Sequence, residues 1–200
     1  MGRYDGRKGQ LSRRHLLQID GRIEEQIPRR QRSKTPHYKI QTNDKRLNSD
    51  PSADCLKCYV SQQKGFKKYI LKSEIRTDVT HWKVITARAA HAHKIGFGNI
   101  FVGKPGTVHS KSYISFDTNT MEEAESLCSY MRCRMPNFVL SLRKNSQDIS
   151  ASTCTWIPLP PLDRQWTDSG VYDHFNLTDA EIQLITETHI VGFKAVKHLQ

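Results

Sequence analysis

Two hundred residues with a formal net charge of +11 suit one domain, or one domain with an arm, and favour a polyanionic partner: DNA, RNA or an anionic membrane. No apolar run reaches the roughly 18 residues of a membrane span, and no apolar segment follows the N-terminal arginines as a secretory signal requires. Five cysteines, an odd number in a chain without such a signal, read as reduced thiols in an intracellular, cytoplasm-like compartment.

The charge is unevenly spread. Residues 1–50 hold 13 Lys and Arg against 6 Asp and Glu, residues 51–100 hold 9 against 3, and the last fifty hold 3 against 6. The first fifty also lack sustained periodicity, and Pro28 and Pro36 bracket four cations (Arg29, Arg30, Arg32 and Lys34). Such a stretch buries too little apolar area to offset its ordering entropy. It reads as a basic, largely flexible arm over 1–50, either tracking phosphates or merely solubilising the chain. Residues 51–200 read as the folded domain.

From about Asp54 the pattern sharpens. Residues 58–61 and 68–71 predict two strands joined through Gly65, a hairpin. Trp82 to Ala87 alternates and is rich in β-branched residues, which predicts a third strand. Residues 100–102 and 113–116 predict two more, with a turn at 103–106. A helix is expected over 121–135, because Thr120 and Glu123 form a capping box and apolar residues recur from Met121 through Ala124, Leu127, Cys128 and Met131 to Met135. Pro136 should end or kink it, and 137–142 opens a second, apolar helix. Another helix starts at Thr178, capped by Glu181, with Leu177 and Ile182 as a staple. The sum is an α+β fold: one domain with a small, mostly antiparallel sheet and two to three helices.

The segment after residue 142 carries the most chemistry. An apolar run ends in Arg143, Lys144, Asn145, Ser146 and Gln147, before Trp156 and Pro158 close an aromatic, β-prone stretch. Arg and Lys read phosphates and guanine, and Asn or Gln reads adenine, so these side chains suit a nucleic-acid contact loop. They equally suit a solvated helix end whose cations complement the dipole. Arg88, His91, His93 and Lys94 form a second candidate loop, with no Asp or Glu between Asp78 and Asp117 to complete a hydrolytic metal site. Lys64, Lys67, Lys68 and Lys111 are further phosphate candidates. Cys55 with Cys58 and Cys128 with Cys133 have spacings a structural zinc would accept, although Cys128 lies on the expected buried stripe. The chain has no P-loop, no nucleophile elbow, no metal-nuclease pattern, and no Asn-Pro-Pro-Tyr or Asp-Pro-Pro-Tyr.

Five blocks in order carry a family resemblance: Trp82, Lys83 and Val84; Ser110 to Tyr113; Glu122, Glu123 and Ala124 leading to Arg143 through Asp148; Trp156 and Pro158; and Trp166, Thr167, Asp168, Tyr172 and Leu177 to Ile182. In this the chain resembles the C-terminal target-recognition region of type II restriction–modification proteins, the large adenine-specific DNA methyltransferases, some with a fused endonuclease. It departs at 133–137 (Cys-Arg-Met-Pro-Asn, where such proteins read Thr-Lys-Phe-x-Arg) and carries no methyltransferase domain. The resemblance implies a sequence-specific double-stranded DNA-binding module, non-catalytic alone, that serves a methyltransferase or restriction subunit: a recognition subunit, a fragment of a split gene or a remnant. No cofactor is expected in this chain; S-adenosylmethionine or Mg would belong to the partner. A stand-alone endonuclease with an unrecognised metal site, or a basic RNA- or DNA-associated structural protein, are the alternatives.

Overall fold

Alternating apolar residues in the middle of the chain become strands, and the capped stripes of the second half become helices. The computed structural model describes residues 38–60, 67–89, 96–144 and 148–190. Its strands are β1 (Cys55–Tyr59), β2 (Lys67–Leu71), β3 (Trp82–Ala87), β4 (Ile100–Gly103), β5 (Thr107–His109) and β6 (Tyr113–Thr118). The helices are α1 (Met121–Arg132), α2 (Arg134–Arg143), the single turn α3 (Ala151–Cys154), α4 (Asp168–His174) and α5 (Asp179–Glu187). The fold is α+β. Among the described residues no helix is long and apolar enough to cross a membrane.

The strands are shared between two three-stranded sheets, ordered β2-β1-β5 and β4-β3-β6. All pairings are antiparallel except that of β1 with β5. β5 is absent from the expected strand set because three residues, Thr107, Val108 and His109, carry no readable period. The turn after β4 uses Gly106 at φ +75°, a backbone that glycine adopts without steric cost, and hands the chain from one sheet to the other.

Paired residues share a face, so register assigns the faces of β4-β3-β6. Val84 lies opposite Val102 and Phe116, and this face meets the helices: Val84, Ile100 and Ile114 share one buried cluster with Leu127, Tyr130, Met131 and Phe138. Ile85 lies opposite Phe101 and Ser115, and this face meets the other sheet. There the Phe101 ring lies 4.9 Å from that of Tyr59, and His109 Nε2 is 2.9 Å from Ser115 Oγ. A second, smaller core gathers Leu56, Cys58, Val60, Ile70 and Val108 with Tyr38, Ile40 and Leu47.

Those last three residues move a border. The arm expected over 1–50 overlaps the folded body from residue 38, where Tyr38 and Ile40 are buried and Asn48 bridges Tyr69. Residues 1–37 lie outside the described residues. The helix expected over 121–135 breaks at Cys133, ahead of Pro136. Pro136 falls in the first turn of α2, where a missing N–H removes no helical bond. Met121 is exposed and Met135 is buried from α2 instead of α1. Residues 154–158 form a turn after α3, with Ile157 N donating to Cys154 O at 3.1 Å, in place of a β-prone stretch. The Thr178 capping box is complete as expected, whereas Glu123 reaches Asn119 N (2.8 Å) while Thr120 Oγ1 accepts from Glu123 N (3.2 Å).

Candidate nucleic-acid interface

Strand direction sorts the loops into two groups. β1, β3 and β5 finish, and β2, β4 and β6 begin, at one end of the molecule. Three bonds tie that end together: Ser110 N to Tyr59 O at 2.9 Å, Ser110 Oγ to Val60 O at 2.8 Å, and Arg88 N to Ser112 O at 2.9 Å. Asp148 then pairs with Ala89, and Ile149 N donates to Arg88 O at 2.7 Å. The flanks of the 61–66, 90–95 and 145–147 segments therefore meet at one place, although 61 and 147 are far apart in sequence.

The charge carried by these segments is one-sided. Residues 61–68, 88–96, 109–112 and 143–148 contain Lys64, Lys67, Lys68, Arg88, Lys94, Lys111, Arg143 and Lys144 against a single carboxylate, Asp148. Four of the expected contact residues are described with their side chains. Arg88 is exposed, with Nε 3.4 Å from Asp148 Oδ2. Lys111 is exposed, and its N–H donates to Ile40 O at 2.9 Å, so the segment at 38–42 props the β5–β6 connection. Thr42 Oγ1 and Ser112 Oγ, 2.9 Å apart, reinforce it. Lys68 is half-buried on the edge strand β2. Lys144 is half-buried at the end of α2, and burial pulls its ammonium below the ordinary lysine range against the opposing field of Asp148. Lys64, His91, His93, Lys94, Asn145 and Gln147 lie outside the described residues, as do the side chains of Lys67 and Arg143.

Other chemistry lies elsewhere. Cys58 sits in the smaller core, and Cys128 and Cys133 in the larger one, so the two cysteine pairs are not gathered. Burial pushes the Cys58 and Cys133 thiols up to about 12. Among the described residues no group of three or more His, Cys, Asp and Glu side chains could hold a metal ion. The closing residues of the family-like pattern are architectural. Trp166 and Tyr172 are buried in the larger core, and Thr167 and Thr178 cap α4 and α5.

Sequence reasoning missed a buried polar seam between the sheets. Lys83 is 1% exposed and its Nζ donates to Thr107 O at 3.0 Å. Beside it His109 Nδ1 donates to Ser110 O and its Nε2 pairs with Ser115 Oγ, both at 2.9 Å, with the Tyr38 ring edge-on at 5.0 Å. The available signal was the period of β3, in which Lys83 shares a face with Ile85 and Ala87. A lysine in step with two apolar residues points inward.

Compared with family models, with curated proteins and with solved structures, the chain matches none.

Proposed function

We propose that this chain is a DNA-binding specificity module whose loop end lies against the duplex, and that it lends recognition to a methyltransferase or restriction subunit that supplies the catalysis. The observation that carries this reading is that the described flanks of three segments meet beside the β5–β6 connection, and that in sequence these four stretches hold eight Lys and Arg against one carboxylate. Such a surface neutralises phosphates and releases counterions, which provides affinity for any duplex. Asn145, Gln147, His91 and His93 add the donors and acceptors that read base edges. The link to an adenine-specific system rests on the five ordered sequence blocks, and any S-adenosylmethionine or Mg belongs to the partner.

The test is a salt titration of duplex binding. Removing Lys68, Arg88 and Lys111 together should lower the slope of log K against log salt by up to about 0.9 for each phosphate that is no longer neutralised. Lys104→Ala, in the turn at the opposite end, should leave it unchanged. Equal slopes for both proteins would refute the loop end as the interface, and equal affinity for RNA and DNA would favour a general nucleic-acid-associated protein.

A further inference from the structure

A carboxylate inside a phosphate-binding surface weakens it for every duplex, so the placement of Asp148 calls for a separate role. Its Oδ2 lies 3.4 Å from Arg88 Nε, with the two side chains 49% and 46% exposed. An ion pair so exposed contributes little to stability. Its backbone setting is nevertheless firm: Ala89 and Asp148 form an antiparallel bridge, and Ile149 N holds Arg88 O. The chain thus fixes the two Cα positions and leaves only side-chain freedom to be restrained.

The carboxylate approaches Nε of the guanidinium, beyond which the group carries two Nη donors. Those are the paired donors that match O6 and N7 of guanine in the major groove, and a guanidinium held from behind loses less rotamer freedom when it binds. We propose that Arg88 reads a guanine and that Asp148 is the positioning residue that orients it. This rests on the loop end being a duplex interface. Lys144 also lies in the field of Asp148, so the rival role is a charge brake on both cations.

The experiment uses the full chain and a pool of duplexes with a randomised core. After selection, affinity is measured on the enriched duplex, on the same duplex with one guanine replaced, and on a scrambled duplex. The wild type should enrich a fixed guanine whose replacement weakens binding about tenfold or more. Arg88→Lys and Asp148→Asn should each lose most of that discrimination while still binding scrambled duplex and keeping the wild-type melting temperature. Asp148→Glu should restore part of it. Several outcomes overturn the proposal. If Asp148→Asn tightens both duplexes alike with the guanine preference intact, Asp148 is only a charge brake. If the wild type binds duplex but enriches nothing, Arg88 reads no base while the loop end stands as a DNA surface. If it binds no duplex, both readings fall together.

Discussion

At the residue scale, this protein buries groups that would rather ionise elsewhere. Desolvation pushes the thiols of Cys58, Cys133 and Cys154 up from 9.0 to about 12, and holds the phenols of Tyr38 and Tyr130 above their ordinary value. Below pH 9 these groups are protonated in both folded and unfolded chains, so the stability they support is fully present. Between pH 9 and 12 the unfolded chain sheds protons that the folded one retains, and stability falls. Lys83 works in the opposite sense. Its folded ammonium is held below 10.5, so raising the pH towards that value removes a penalty. Burial lowers the half-buried Lys144 ammonium in the same sense, and three thiols and the phenols outnumber these two amines. Chemical denaturation followed from pH 8 to 11 should therefore show a falling unfolding free energy. A flat or rising curve would mean that these side chains are far wetter than their surroundings imply.

At the element scale, the break between α1 and α2 depends on one amide. Asn137 is 1% exposed; its Nδ2 donates to Met131 O (2.9 Å) and Cys133 O (2.7 Å), and its Oδ1 accepts from Phe97 N (2.8 Å). It therefore bonds two carbonyls at the break between α1 and α2 and pins the entry to β4 against α2. A Cβ at Gly96 would lie 2.7 Å from Asn137 Oδ1, so any larger residue there would displace this amide. Asn137→Ala leaves three buried backbone groups without this partner and should cost about 2–4 kcal/mol, read as a lower denaturation midpoint. A loss under about 1 kcal/mol would show that the helices hold their break without it.

At the scale of the whole molecule, the segment at 38–48 belongs to the body that presents the loops. Ile40 is 1% exposed in the smaller core, and its carbonyl accepts from Lys111 N at 2.9 Å. In the full chain Ile40→Ala should lower stability by about 2–4 kcal/mol, within the usual range for a buried aliphatic truncated to a cavity. An arm flexible up to residue 50 would make the same substitution neutral. Because Ile40 supports the β5–β6 connection, calorimetry on this variant also measures how firmly the basic end is held.

Signals confined to a few neighbouring residues were legible in the sequence. Thr178 and Glu181 cap α5 because both partners of each bond lie within one turn, and Trp82 to Ala87 forms β3 because its alternation matches the pleat. The α+β class follows from such elements taken together. What depends on distant partners was decided by tertiary structure. Cys133 ends α1 because Asn137 and Phe97 meet there, whereas a proline three residues on looked like the natural stop. Three residues became β5 because Lys57, Cys58 and Tyr59 offered a parallel edge. Lys83 is buried because the carbonyl of Thr107 comes within reach from another strand. The candidate contact residues were recognisable singly by their chemistry. The meeting of the described flanks of their segments at one end was not, because it follows from strand direction and from the pairing of Ala89 with Asp148, and chain order encodes neither until the sheets have formed.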